Sequence, residues 1–257
     1  MIDDPMKQTS ASRLGLPDGG FLSFCHTPGQ LPAIFFLGGF RSDMSGLKAL
    51  ALEQHCSRRG LAFTRFDYRG HGISSGRFEE LGIGDWLADT LAILDYSTRE
   101  PSILVGSSMG GWLALLAALA RPTRVRGLVA IAQAPDFTAD LIEPQLTPEA
   151  RTLLDRDGFL LAPSAYGDPI PISRALIDQG ARHLLLQAPI PLRIPVHVLH
   201  GQQDPDVPWQ TSLRLAARLE SPAVTVELIK DGDHRLSREE DLRRIVAAVD
   251  RVVEQVR

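Results

Sequence analysis

Residues 103–113 read Ile-Leu-Val-Gly-Ser-Ser-Met-Gly-Gly-Trp-Leu. An apolar strand signal runs straight into Gly106-Ser107-Ser108-Met109-Gly110. An apolar helix signal, Trp112 to Leu119, follows at once. This is Gly-x-Ser-x-Gly set in the strand–turn–helix context that a nucleophile elbow requires, which is more specific than the five-residue pattern alone. The turn forces Ser108 into an unfavourable backbone conformation while the neighbouring chain passes close by. A Cβ at 106 or 110 would collide, and glycine has none. Ser108 then emerges at the carboxyl end of a strand where a helix begins, with the Met109 amide placed to help bind an oxyanion. The alternative reading is a glycine-rich turn between a buried strand and a helix, with no chemistry.

Outward from this stretch, strands and helices alternate. Ala11–Leu16 and Gly20–His26 predict a hairpin across Pro17-Asp18-Gly19-Gly20, with Asp-Gly as the turn signal. Ala33–Leu37 is continuously apolar, as a strand buried on both faces requires. Met44–Arg59 predicts a helix capped by Ser42 or Asp43 and stopped by Gly60. Leu61–Phe66 predicts a strand, Ile83–Ser97 a helix, and Arg126–Ala132 a strand. Val196–His200 and Val224–Ile229 are two further strands, separated by a helix over Thr211–Leu219, and Ser237–Val256 closes the chain as a helix. The fold class is therefore α/β, a mainly parallel central sheet with helices on both faces and a mixed edge at the front. Sites in such sheets form at the carboxyl ends of the strands.

One stretch breaks the alternation. Residues 134–194 carry many prolines and only short elements: a helix over Thr147–Arg156, an apolar run Phe159–Ala162 and a helical signal over Ser173–His183. The expectation is a single domain over residues 1–257 with residues 134–194 as a small inserted cap above the site. Gly39, Phe137, Phe159 and Tyr166 are the candidate pocket residues. Packing within the cap would explain the aromatic ones equally well.

A serine hydroxyl needs a neutral imidazole to take its proton and a carboxylate to orient that imidazole. Seven histidines compete for the base. His234 lies in Lys230-Asp231-Gly232-Asp233-His234, a polar loop directly after the last predicted strand, on the side where Ser108 emerges. His71, in the loop Asp67–Gly76, is its rival. His200 ends a strand inside an apolar run and reads as a core histidine. For the acid, Asp204 sits early in the turn after Val196–His200, with Asp206 and Asp136 as alternatives. The chain order Ser…Asp…His of this elbow favours Ser108, Asp204 and His234. Gly38-Gly39-Phe40 follows a strand end and suits a second oxyanion donor, so the candidate hole is the amides of Phe40 and Met109.

Composition narrows the classes. The chain has 257 residues, 44% apolar, enough for a substantial core. A net charge of −4 leaves no basic footprint for nucleic acid. No stretch reaches the roughly 20 apolar residues of a membrane span. Cys25 and Cys56 read as buried free thiols, and no Cys/His spacing fits a metal. Residues 1–14 contain Asp3 and Asp4 and no continuous apolar run, which is unlike a secretory signal or an Arg-rich transit peptide. The expectation is a cytoplasmic protein needing no metal or organic cofactor, monomeric or a weak homodimer.

These residues together resemble the serine hydrolases of the α/β-hydrolase superfamily, from Leu37 to the end of the chain. Asp67-Tyr68-Arg69-Gly70-His71-Gly72-Ile73-Ser74 is similar to that superfamily's loop after its fourth strand. Ser42-Asp43-Met44, Lys48-Ala49-Leu50, Pro189-Ile190-Pro191, Leu199-His200-Gly201 with Asp204, Val207-Pro208-Trp209 and Asp233-His234-Arg235 resemble a narrower branch. Members of that branch remove palmitoyl groups from proteins in mitochondria and also cleave acyl glucuronides. The resemblance implies an α/β-hydrolase fold, a triad of Ser108, Asp204 and His234, and a small-molecule or acylated-protein substrate cleaved at a thioester or ester. A general carboxylesterase, an acyltransferase and a non-catalytic binding protein on the same fold stay open.

Overall fold

The computed structural model describes residues 10–97, 101–163 and 169–257. The chain opens with β1 (Ser12–Gly15) and β2 (Phe21–Thr27), an antiparallel hairpin. The Leu16 N–H donates to the Gly20 carbonyl at 2.8 Å, which closes the turn expected at Asp18-Gly19. β3 (Gln30–Leu37), α1 (Leu47–Arg59), β4 (Leu61–Phe66), α2 (Ile83–Ser97), β5 (Ser102–Ser107), α3 (Met109–Ala120) and β6 (Val125–Ile131) follow in strict alternation after β3. The insertion then carries α4 (Pro148–Asp157), β7 (Phe159–Ala162), β8 (Ile170–Ser173) and α5 (Arg174–Ala181). β9 (Val196–Gly201), α6 (Gln210–Arg218), β10 (Val224–Ile229) and α7 (Glu239–Val256) complete the chain.

Eight strands form one sheet in the order β1-β2-β4-β3-β5-β6-β9-β10. β2 pairs antiparallel with both β1 and β4 at one edge, and the other pairings of this sheet are parallel. β5 therefore ends in the middle of the sheet, between β3 and β6, and delivers Ser108 to its centre. Side chains along β3 alternate between the two faces, as a period of two demands. Ala33, Phe35 and Leu37 join a core with Trp86 and Ile93 of α2 and with Trp112 and Leu113 of α3. Ile34 and Phe36 join a second core with Leu52 and Cys56 of α1 and Val249 and Val252 of α7. Burial on both faces is why the strands read as unbroken apolar runs. Cys25 and Cys56 are buried, and neither is in a disulfide. Among the described residues, no helix is long and apolar enough to cross a membrane.

Two local expectations change. α1 starts at Leu47 rather than Met44, and neither Ser42 nor Asp43 caps it. Asp43 Oδ1 instead accepts from the Ser45 N–H at 2.7 Å, a turn of its own, and the Met44 N–H donates to Asp67 Oδ1 at 2.6 Å. A short acidic side chain closing a local turn competes directly with helix capping. The insertion is also more ordered than its prolines suggest. β7 and β8 pair antiparallel, and a π-helical turn spans Thr138–Ile142. The buried Asp136 carboxylate accepts from the Leu185 and Leu186 N–H groups, each at 2.8 Å, fastening the end of the insertion to its start.

Candidate active site

Ser108 sits between β5 and α3 at φ 55°, ψ −120°. This is a left-handed conformation that a side chain rarely adopts, and it persists because the surroundings over-determine it. The Ser108 N–H donates to the Ile131 carbonyl at 2.9 Å, and its carbonyl accepts from Gly111 and Ala134. The turn packs so tightly that a Cβ on Gly106 would lie 2.3 Å from the Gly110 carbonyl oxygen. One on Gly110 would lie 2.2 Å from that of Leu37.

From this turn a chain of hydrogen bonds runs across the sheet's carboxyl edge. Ser108 Oγ donates to His234 Nε2 at 3.1 Å. His234 Nδ1 donates to Asp204 Oδ2 at 2.7 Å. Asp204 lies in the loop after β9 and His234 in the loop after β10. The two strands are parallel neighbours, so both loops open on the side where Ser108 emerges. The loops touch: a Cβ on Gly201 would lie 2.2 Å from the Gly232 carbonyl oxygen, and the Gln203 N–H donates to that same oxygen at 2.9 Å.

Burial raises the pKa of Asp204, but its donors outweigh burial and hold it well below the usual carboxylate range. Those donors are the imidazoles of His200 and His234 and the backbone amide of Val207. The Asp206 amide also donates to it, at 2.8 Å. Asp204, Asp206 and His234 bring three ligand-type atoms within 4.8 Å of one another. Both Asp204 oxygens are already engaged by N–H donors, which suits an imidazole partner rather than a cation.

The other candidates occupy different places. Asp206 is exposed and contributes its backbone amide. Asp136 is committed to Leu185 and Leu186. His71 stands apart from the proton chain: Nε2 accepts from the Arg41 N–H at 3.2 Å, and Nδ1 donates to the Arg69 carbonyl at 3.3 Å. Burial pushes His71 down to about 4, which keeps Nε2 an acceptor at neutral pH.

Beside Ser108 and His234 lies a cavity of about 520 Å³. Gly39 and Phe40 line it from the loop after β3, with Ile170 of β8 opposite. Phe137 is not among the lining residues. Its ring packs edge-on against Phe40 at 5.7 Å and Trp112 at 5.6 Å, supporting the wall from behind. Phe159 is also absent from the lining and stands 38% exposed on β7. Strand alternation explains this, since Leu160 and Ala162 turn to the core and Phe159 and Leu161 turn outward. Tyr166 lies outside the described residues. Met109 begins α3 with its side chain buried, so only its backbone can serve the site.

Three cations also line this cavity, Arg41, Lys48 and Arg235, none of them among the expected site residues. Lys48 Nζ donates to the Arg235 carbonyl, and Arg41 Nη1 donates to the Pro169 carbonyl at 3.0 Å. Burial, then the neighbouring Arg235, lowers Lys48 to about 8. Arg41 follows β3, Lys48 stands in the first turn of α1 and Arg235 follows β10, so no single stretch of sequence brings the three together.

The fold and this arrangement define a class. The chain matches the alpha/beta hydrolase family over residues 28–248 and belongs to it. Within that family it is 40% identical to the Bos taurus protein named "Palmitoyl-protein thioesterase ABHD10, mitochondrial", over 97% of this chain and 82% of that one. The mouse alpha/beta hydrolase domain-containing protein 10 superposes with a TM-score of 0.89 at 39% identity, covering 97% of this chain and all of the other. A putative hydrolase from Agrobacterium vitis S4 superposes at 0.90 with 40% identity, covering 96% and 98% of the two chains. One expectation is overturned here. The acidic N-terminal residues suggest a cytoplasmic protein, whereas the bovine relative is named as mitochondrial.

Proposed function

We propose that this protein is a serine hydrolase that cleaves carboxylic thioesters or esters through an acyl-enzyme, with acyl-protein thioesterase chemistry as its main activity. The observation that carries this reading is the hydrogen-bonded series Ser108 Oγ, His234 Nε2, His234 Nδ1 and Asp204 Oδ2, at 3.1 and 2.7 Å, opening on a cavity. The likeness to a named palmitoyl-protein thioesterase supports the thioester assignment.

In the first half-reaction Ser108 Oγ attacks the substrate carbonyl carbon as its proton passes to His234 Nε2. Asp204 holds His234 in the tautomer that can accept it and balances the imidazolium. The amides of Phe40 and Met109 hold the oxyanion, a contribution typically of roughly 3–4 kcal/mol per donor. The C–S or C–O bond then breaks and His234 returns the proton to the leaving thiol or alcohol. In the second half-reaction His234 draws a proton from water, which attacks the acyl carbon; the bond from that carbon to Ser108 Oγ then breaks, and His234 returns the proton to Oγ as the acid is released. Residues 134–194 act as a cap on a single-domain hydrolase, contributing Ile170 to the wall and bracing Phe40 through Phe137.

A second reading of the leaving group draws on Arg41, Lys48 and Arg235 on the cavity wall. Three cations there suit an acyl compound whose leaving group carries a carboxylate, as an acyl glucuronide does.

Hydrolysis of a palmitoyl-cysteine surrogate, set beside p-nitrophenyl esters of rising chain length and a matched ester with an anionic leaving group, tests both readings. Ser108→Ala should lower kcat by roughly 10⁴-fold or more on every substrate, as removal of such a nucleophile does. Activity that survives in Ser108→Ala sinks the serine mechanism. No preference for the anionic leaving group sinks the second reading alone.

A further inference from the structure

Asp204 is shared between two histidines. Its Oδ1 accepts from the Asp206 and Val207 N–H groups, each at 2.8 Å. Its Oδ2 accepts from His234 Nδ1 at 2.7 Å and from His200 Nε2 at 3.0 Å. The side chains of His200 and Asp204 are both wholly buried. His200 Nε2 also lies 3.0 Å from the Val207 carbonyl, so this nitrogen faces two acceptors and carries the proton.

The other ring nitrogen is engaged too. His200 Nδ1 lies 2.6 Å from Ser212 Oγ, and Ser212 Oγ accepts from Gln133 Nε2 at 2.9 Å. Ser212 and Gln133 are themselves fully buried. The donor directions close without conflict. Gln133 donates to Ser212, Ser212 to His200 Nδ1, and His200 Nε2 to Asp204. From the opposite side Ser108 donates to His234 Nε2 and His234 Nδ1 donates to Asp204. Two arms thus converge on one carboxylate oxygen. Only the His234 arm opens on the cavity.

We propose that His200, held by Ser212 and Gln133, is a positioning residue that fixes Asp204 Oδ2 in place for His234. This rests on the triad reading above. The physical need is specific. Backbone amides pin Oδ1, but Oδ2 would otherwise have only His234 as a donor, and His234 is the group that changes protonation during the reaction. With Oδ1 pinned the carboxylate can still rock about it, and an Oδ2 held by His234 alone would follow that ring. A second, stationary imidazole on Oδ2 keeps the acceptor in line through both half-reactions and adds a donor to a buried charge.

The test compares His200→Leu with His200→Gln, whose amide N–H reaches the position of Nε2. Ser212→Ala serves as a milder variant. In His200→Leu, kcat on a p-nitrophenyl ester should fall roughly 10- to 100-fold with KM within about twofold of wild type, the pattern of a lost transition-state contribution. His200→Gln should recover most of that loss, and Ser212→Ala should lose less than His200→Leu. A space-filling role predicts the opposite, with Leu close to wild type and Gln impaired, and that outcome overturns the proposal. If His200→Leu fails to fold, Ser212→Ala and His200→Gln still decide between the two patterns.

A readout independent of turnover separates this proposal from the triad reading. Imidazole protons held by a buried carboxylate resonate in proton NMR spectra downfield of the amides. His200→Gln should remove one such resonance and leave the His234 resonance near its position, whereas His200→Leu should remove one and shift the other. An unmoved His234 resonance in His200→Leu, in a folded protein, rejects the positioning role even if the enzyme hydrolyses no ester at all.

Discussion

His71 uses both ring nitrogens without touching Ser108 or His234. Its Nε2 lone pair holds the Arg41 amide, one residue beyond Phe40, where the backbone stands at φ 58°. Two neighbours in the same loop help: Tyr68 Oη donates to the Gly38 carbonyl at 3.2 Å, and Asp67 Oδ1 accepts from Met44. Three side chains of one loop thus hold Gly38, Arg41 and Met44, on both sides of Phe40. Only an unprotonated Nε2 can do this, which is the physical use of a histidine whose pKa burial drives down to about 4. His71→Phe keeps the ring, which packs edge-on against Tyr68, Phe78 and Trp86, but removes the acceptor. It should lower kcat on an ester roughly tenfold or more while KM changes little, as loss of oxyanion geometry does. His71→Gln, which restores an acceptor, should recover part of the rate. Equal kcat for wild type and His71→Phe would show that the loop keeps its place without this bond.

At the scale of elements, the elbow is where two segments come closer than any side chain permits. β5 and α3 meet with Gly106 against the Gly110 carbonyl and Gly110 against the Leu37 carbonyl, so α3 cannot back away without losing its packing on β3. Gly106→Ala should therefore cost roughly 2–4 kcal/mol of stability, as overpacking against backbone does, and should also displace Ser108. Chemical denaturation read against a Gly15→Ala control, where a Cβ meets nothing within 4 Å, isolates the steric part. An unchanged midpoint for Gly106→Ala would mean that the turn can open. This element was legible in the sequence because a steric demand leaves a residue signature: only glycine fits, and apolar runs on either side mark strand and helix. The alternating strands were legible for the same reason, since burial on two faces excludes polar residues. What stayed hidden was set by which side chains the fold brings into contact. Asp43 became a turn former because Asp67, 24 positions away, took the Met44 amide. Phe159 turned outward because its strand neighbour Leu160 met the core. His200 looks like any apolar-strand histidine until Asp204 and Ser212 are brought to its two nitrogens.

Over the whole molecule, burial of titratable groups sets how stability answers to acid. His71 stands near 4 when folded, below the roughly 6.5 of an unfolded histidine. Between those values the unfolded chain takes up the proton and the folded one does not. Stability is therefore lost as pH falls from about 6.5 to about 4, by up to roughly 3 kcal/mol. His26 and His197 are also lowered by burial and act in the same direction. Asp89 acts in the opposite sense. Burial raises it to about 6 despite its ion pair with Arg69, whereas an unfolded aspartate stands near roughly 3.9. There the folded state takes up the proton first, so stability is gained as pH falls through 6. Asp67 and Asp136 are raised by burial as well. Two opposed contributions of similar size thus share one pH window, and single variants should unmask each. Melting temperatures at pH 7.0 and 4.5 provide the measurement. His71→Phe should lose less on acidification than wild type, because the histidine contribution is gone. Asp89→Asn should lose more, because the compensating uptake is gone. If both variants track wild type in parallel, the acid response comes from elsewhere in the chain and not from these two buried groups.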